Sequence, residues 1–235
     1  MRTGVIGLGG MGAPMARNLH GAGLLESVWN RTRSTAESLA FELGVQAAFD
    51  PAELAGRCEA IILSVSADAD VLEVVDAILT GLKPGSVVID TSTVSRETAC
   101  KAAEKTGAAG SAFLDAPVSG GVEGARQGTL AMMIGGEAAV LEQARPVLEA
   151  VGSRITHMGP VGAGQATKAV NQIMAAGINQ AGTEALAFGA AHGLPMDRVI
   201  EVVGSGAAGN WFLTHRGPGM VEGRFEPGFR VALHH

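Results

Sequence analysis

Lys168 is the only charged side chain in the stretch GAGQATKAVNQI at positions 162–173, and the amides Asn171 and Gln172 follow it at three and four residues. In a helix, positions i, i+3 and i+4 lie on one face, so an ammonium and two amides are presented together. Such a trio has two readings. A lysine near a helix start can carry its amine out to water along its own stem. Held among Ala and Val, it becomes a cation of lowered pKa that can give a proton to a developing oxyanion or, as the free amine, take one. The helical pattern by itself leaves both open.

Other stretches carry chemistry through glycines and strand ends. Gly7-Leu8-Gly9-Gly10-Met11-Gly12 is a G-x-G-x-x-G between an apolar run and a helical pattern. There the first glycines allow a tight turn and close approach of a pyrophosphate, and the last lets the helix pack on the strand. An ordinary glycine-rich turn is the alternative, and further βα units downstream favour the dinucleotide. Where an NAD site commonly has an acidic residue on the ribose hydroxyl, this chain has Trp29-Asn30-Arg31-Thr32. An amide, a guanidinium and a hydroxyl without a carboxylate suit the 2′-phosphate of NADP, with Arg33 as a second donor, although a solvated basic turn capping the helix from Ser34 fits the same residues. Ser64-Val65-Ser66 and Thr91-Ser92-Thr93 end two strands and are expected to face the cofactor, or to cap the next helices. Val118-Ser119-Gly120-Gly121 is a turn rich in unobstructed N–H groups, of the kind that accepts an anion.

Period and punctuation indicate the elements that must hold these residues. Up to about residue 160, apolar runs alternate with helical patterns: TGVIGL then Met11 to His20, SVWN then Ser34 to Leu43, AIILSV then Val71 to Leu79, SVVIDTS then Glu97 to Thr106, and finally AFLDAPV. The runs are apolar without alternation, which predicts a mostly parallel, doubly wound α/β sheet covered on both faces, placed at residues 1–163. From Gly164 to about His192 the pattern is helical, about 42 Å long at 1.5 Å per residue, enough to bridge two domains. Ala169 to Ala191 reads as a buried helix and not a membrane span, because Asn171, Gln172, Asn179, Gln180 and Glu184 interrupt it. Gly193 can end it and Pro195 suits the next helix, so 164–235 reads as all-helical.

Composition narrows the class. With 235 residues and 47% hydrophobic content the chain can bury substantial cores. A net charge of −6, without a run of like charges, argues against nucleic acid. Cys58 and Cys100 have no metal-like spacing and read as reduced, inert core thiols of a cytosolic protein. The start MRTGVIGLGGMG lacks the basic flank and long apolar core of a signal peptide, so a cytoplasmic, non-membrane protein is expected.

Four segments in order resemble the β-hydroxyacid dehydrogenases: GLGGMGAPMARNL at 7–19, DAPVSGGVEGARQGTLAMMIGG at 115–136, GPVGAGQATKAVNQ at 159–172 and FEPGFRVALHH at 225–235. The resemblance spans essentially the whole chain. It implies a Rossmann-type domain followed by an all-helical substrate and oligomerisation domain, a phosphate loop at Gly7 to Gly12, and nicotinamide-side contacts from Val65, Ser66 and Thr93. It further implies that Ser119, Gly120 and Gly121 hold a substrate carboxylate, that Lys168 is catalytic and that Asn171 and Gln172 orient the substrate. The expected activity is NADP-dependent reduction, with NAD possible, of a small carboxylate-bearing aldehyde such as glyoxylate or tartronate or succinic semialdehyde. Oxidation of a 3-hydroxyisobutyrate-type acid, or a non-catalytic cofactor-binding module, are the alternatives.

Some positions depart from the family pattern. Asn171-Gln172 stands where many members have two asparagines and, with FEPGF, resembles the tartronate semialdehyde reductases. Asn30-Arg31-Thr32 resembles the NADPH-using glyoxylate and succinic semialdehyde reductases. In the family the segment resembling FRVALHH runs on into a Lys-Asp pair and further helices, so the second domain is expected to be incomplete, with native His234 and His235 and poor turnover. Trp211 and Phe212 stand where the family puts bulky residues against substrate, and a core or interface role suits them equally. The absence of an Arg or Lys cluster near the substrate loop disfavours phosphorylated sugar acids. The long Ala- and Gly-rich helix predicts a homo-oligomer.

Overall fold

A computed structural model describes residues 1–224, so FEPGFRVALHH, with His234 and His235, lies outside the described residues. The chain divides into two compact units, Met1–Lys168 and Ala169–His235.

The first unit is built on β1 (Thr3–Ile6), β2 (Leu25–Trp29), β3 (Gln46–Ala47), β4 (Ala60–Leu63), β5 (Val87–Asp90), β6 (Ala112–Asp115), β7 (Val118–Ser119), β8 (Leu130–Gly135) and β9 (Gly152–Gly159). Helices α1 (Gly12–Gly21), α2 (Arg33–Leu43), α3 (Pro51–Arg57), α4 (Asp68–Ile78), α5 (Arg96–Ala108), α6 (Gly121–Gln127) and α7 (Ala138–Val151) connect them. The strands order as β3-β2-β1-β4-β5-β6-β8-β7, with β9 against β8. Pairing is parallel from β3 through β6 and antiparallel where β8 meets β6 and β7. The order reverses at β1, which places the carboxyl ends of β1 and β4 at the switch point where doubly wound sheets bind ligands.

Buried strands make both faces of this sheet apolar. Val5, Ile62 and Ile89 face one core with Met15, Leu19 and Leu148, and their neighbours Ile6, Ile61 and Val88 face the other with Leu54, Val75 and Ile78. That is why β1, β4 and β5 read as continuous apolar runs.

Several elements were not anticipated from sequence. β3 is two residues long, too short to show a period. α3 starts at a cap whose parts reciprocate: Asp50 Oδ1 accepts from Glu53 N at 2.7 Å and Glu53 Oε2 accepts from Phe49 N at 2.7 Å. AFLDAPV is not one strand. Pro117 has no N–H for a ladder, so β6 stops at Asp115 and β7 resumes at Val118, both antiparallel to β8 and in one register. The expectation that both cysteines are core residues also fails for one. Cys58 is buried, its thiol pushed up to about 12 chiefly by burial, whereas Cys100 is exposed because α5 turns Thr98, Ala99 and Ala102 inward instead.

α8 (Ala163–Ala191) is one continuous helix of 29 residues, and its part from Ala169 onward belongs to the second unit with α9 (Met196–Gly204) and α10 (Trp211–Val221). Gly193 follows α8 with a φ of +67°, and Pro195 occupies the N-cap of α9. The core here is small, centred on Leu186, Met196 and Leu213. A buried α8 is therefore not found: Val170, Ile173, Met174 and Phe188 are exposed, because two short helices cannot cover so long a partner. Among the described residues no helix is long and apolar enough to cross a membrane.

Candidate functional site

The glycine-rich turn joins β1 to α1. Gly7 has a φ of +91°, and a Cβ on it would run into the Ser64 carbonyl, while a Cβ on Gly12 would run into the Gly7 carbonyl. Glycine is required at both. Gly9 is different: a Cβ there meets nothing within 4 Å, so this stretch of backbone is open on its outer side. Open backbone ahead of a helix N-terminus is a cradle that fits a pyrophosphate. A cavity of about 550 Å³ lies against it, bordered by Gly9, Gly10, Ala13 and Arg17 on one side and by Val122 and Arg126 of α6 on the other. Arg17 and Arg126 border this opening, Arg17 held by Glu42 at 2.7 Å and Arg126 4.0 Å from Glu123.

Asn30 bolts this turn to the end of β2. Its Oδ1 accepts from Leu8 N at 2.9 Å and its Nδ2 donates to the Thr32 carbonyl at 3.2 Å. Arg31 points from the same strand end, largely exposed, with Nη1 3.2 Å from Asp70 Oδ1. Arg33 is engaged elsewhere, paired with Glu37 at 2.7 Å and lying over the Phe49 ring. Thr32 is the N-cap residue of α2 but makes no side-chain cap bond.

Val65 and Thr93 are half-buried and Ser66 is exposed, all just beyond the carboxyl ends of the adjacent β4 and β5. The capping role considered for these clusters is not found. Ala67 precedes α4, and Ser95 caps α5 by accepting from Thr98 N at 3.2 Å. Ser92 instead accepts from Val65 N through Oγ at 3.0 Å, tying the two strand ends together.

Gly120 and Gly121 have φ of +130° and +63°, conformations that favour glycine and bare the backbone N–H groups after half-buried Ser119. Lys168 meets this turn. Its side chain is buried, and Nζ donates to the Val118 carbonyl at 2.8 Å, one residue before Ser119. Burial lowers its pKa from the ordinary lysine value, and among the described residues no carboxylate forms an ion pair with it. The arrangement sets a desolvated amine, able to give or take a proton, beside a glycine turn.

Two further residues hold Lys168, and neither was anticipated from sequence. Asp115 at the end of β6 is fully buried and receives the start of α8: Oδ1 accepts from Gly162 N at 2.7 Å and Oδ2 from Gln165 N at 2.8 Å. Gln165 donates through Nε2 to the Ser92 carbonyl at 2.8 Å and accepts through Oε1 from Val94 N at 3.2 Å. The only available signal was their polarity inside otherwise apolar motifs. Beside Asp115, in register on β5, Asp90 is also fully buried. Its Oδ1 accepts from Ser92 N at 3.0 Å, and its Oδ2 is the one buried side-chain N or O atom among the described residues that has no partner.

Asn171 and Gln172 belong to the second unit, where Asn171 Nδ2 donates to Gln172 Oε1 at 2.9 Å. Trp211, in the same unit, stacks on His215 at 4.6 Å and meets Phe212 edge-on at 5.4 Å. Among the described residues no group of three or more His, Cys, Asp or Glu could hold a metal ion.

Residues 2–159 match the family model of the NAD binding domain of 6-phosphogluconate dehydrogenase, and residues 162–235 match that for the NAD-binding part of NADP-dependent 3-hydroxyisobutyrate dehydrogenase. The chain belongs to the β-hydroxyacid dehydrogenase family. As resembling motifs in four segments imply, this β-hydroxyacid dehydrogenase is an oxidoreductase with a nicotinamide-dinucleotide fold. It is 42% identical over 217 residues to 3-hydroxyisobutyrate dehydrogenase of Pseudomonas aeruginosa, covering 91% of this chain and 72% of that one. It is 35% identical over 237 residues to 2-hydroxy-3-oxopropionate reductase of Escherichia coli, covering 100% and 80%. Among solved structures, Mycobacterium tuberculosis 3-hydroxyisobutyrate dehydrogenase with L-serine is similar at a TM-score of 0.88 and 34% identity, covering 100% of this chain and 83% of that one.

Proposed function

We propose that this β-hydroxyacid dehydrogenase reduces a small carboxylate-bearing aldehyde, of the tartronate semialdehyde, succinic semialdehyde or glyoxylate type, to the hydroxy acid with NADPH. The observation that carries this reading is Lys168, buried with its Nζ 2.8 Å from the Val118 carbonyl beside the Ser119–Gly121 turn. A bound reduced nicotinamide supplies the hydride. Lys168 gives a proton from Nζ to the carbonyl oxygen as negative charge develops there, and then regains one from water. Ser119, Gly120 and Gly121 bind the substrate carboxylate through backbone N–H groups, and Asn171 and Gln172 orient the substrate. Gly7 to Gly12, with Leu8, Gly9, Gly10 and Met11 between, line the pyrophosphate, and Val65, Ser66 and Thr93 border the nicotinamide. Arg31 and Thr32 take the 2′-phosphate. The Asn30 side chain serves this group by tying the glycine turn to its own loop, its Oδ1 engaged by Leu8 N and its Nδ2 by the Thr32 carbonyl.

We assign cofactor binding to residues 1–163 and substrate binding and self-association to 164–235. A cytoplasmic homo-oligomer is the proposed form, supported by the exposed Val170, Ile173 and Met174. A second reading, oxidation of a 3-hydroxyisobutyrate-type acid, is supported by the 42% identity to a dehydrogenase of that name. It uses the same residues with the neutral Lys168 amine as base. A purely cofactor-binding module has no use for a buried lysine at this turn.

NADPH oxidation is to be measured with glyoxylate and with succinic, tartronate and methylmalonate semialdehydes. Lys168→Ala is expected to lower kcat by about 100-fold or more while leaving the Kd for NADPH unchanged. Loss of affinity in place of rate refutes the proton-donor assignment. Arg31→Ala is expected to weaken NADPH and leave NADH nearly untouched; equal weakening refutes the 2′-phosphate assignment.

A further inference from the structure

Gln165 spends both ends of its amide on one short piece of backbone. Nε2 donates to the Ser92 carbonyl at 2.8 Å and Oε1 accepts from Val94 N at 3.2 Å, so the two bonds straddle Thr93. Two further bonds grip the same segment: Ser92 N donates to Asp90 Oδ1 and Ser92 Oγ accepts from Val65 N, each at 3.0 Å. Gln165, Ser92 and Asp90 are all buried. One amide therefore fastens the segment carrying Thr93, and through Ser92 also Val65, to the first turn of α8, three residues before Lys168. At this reach only Gln, or Glu when protonated, offers a donor and an acceptor to span one residue.

We propose that Gln165 is a positioning residue, fixing the separation between the nicotinamide-side backbone at Ser92–Val94 and the Lys168 amine. The proposal rests on the reading of Lys168 as proton donor and of Thr93 and Val65 as cofactor neighbours. Without the amide, Asp115 still holds the start of α8, but nothing clamps it over Thr93. Hydride and proton then no longer arrive at one carbonyl in register, a misplacement that costs rate while leaving binding by the glycine turn intact.

Gln165→Leu keeps the bulk of the side chain and removes both hydrogen bonds, and Gln165→Glu keeps the shape with a titratable end. In Gln165→Leu, hydride transfer in a single turnover from NADPH is expected to fall about 10- to 100-fold, with the Kd for NADPH by fluorescence titration changed less than about threefold. Acetylation of Lys168 by acetic anhydride, followed by mass spectrometry without cofactor, is expected to speed up while buried Cys58 stays unreactive to a thiol reagent. Gln165→Glu is expected to regain rate relative to wild type as pH falls, because the protonated carboxyl restores donor and acceptor. The charged groups on the elements that meet here are Asp90 at the end of β5, Asp115 at the end of β6, Arg96 of α5 against Gly162, Asp68 of α4 on Ser95, and Lys168 along α8, and the wild-type pH profile is the reference that contains them. Unchanged rate and Lys168 labelling in Gln165→Leu overturn the proposal, as do Cys58 labelling that rises with Lys168 and a Gln165→Glu rate that does not recover in acid. Full activity in Lys168→Ala overturns instead the proton-donor reading on which it rests.

Discussion

The ion pair between Arg31 and Asp70 sets how much of a guanidinium is on offer at the tip of β2. Arg31 is largely exposed, so the pair is screened by water and salt and holds the side chain only weakly. Asp70 both occupies Nη1 and places negative charge next to the position proposed for a 2′-phosphate. Asp70→Asn is therefore expected to tighten NADPH up to about fivefold, the upper range for an exposed pair, and to leave NADH unchanged in parallel fluorescence titrations. Arg31 itself was legible from sequence as a guanidinium where a carboxylate is common. Asp70 was not, since it lies 39 residues away and only the parallel neighbours β2, β1 and β4 bring it there.

At the scale of elements, α8 is held by its first turn. Gly162 N and Gln165 N have no intrahelical acceptor, as at any helix start, and the Asp115 carboxyl accepts from both in a buried setting. Close approach is possible because a Cβ on Gly135 would collide with that carboxyl and a Cβ on Gly164 with the Asp115 and Met133 carbonyls. Asp115→Ala leaves two buried donors unsatisfied and is expected to lower stability by about 3 kcal/mol in urea denaturation, with Asp115→Asn, which keeps one acceptor oxygen, losing roughly half as much. The helix itself was plain in sequence, since 29 residues without proline repeat the helical period. Its anchors were hidden. Asp115 is 47 and 50 residues from its partners, and Gln165 is 71 and 73 from its own, separations at which periodicity carries no information.

For the molecule as a whole, Asp90 couples stability to pH. Burial raises its pKa from 3.8 to about 6, with hydrogen bonding to Ser92 opposing the rise and the neighbouring Asp115 adding to it. Between about pH 4 and 6 the folded state retains a proton that the unfolded chain has released, so unfolding releases it and stability falls as pH rises. Asn cannot titrate. The stability of wild type relative to Asp90→Asn, from urea midpoints at a series of pH values, is expected to decrease by on the order of 2 kcal/mol from pH 4 to pH 6. A relative stability that is flat or rises over that range refutes the assignment. The sequence by itself determined the doubly wound sheet, the glycine turn at Gly7 to Gly12, the basic end of β2 and the family, because these are written in local period and in residue types that few backbone geometries admit. Only the tertiary structure decided which polar groups meet at the carboxyl ends of β5 and β6, that Asn30 is tied to the glycine turn, that Cys100 and much of α8 lie exposed, and that Lys168 rests on Val118 beside the Ser119 turn. Those outcomes depend on which strands become neighbours, and a chain of residue types does not state distances between segments dozens of positions apart.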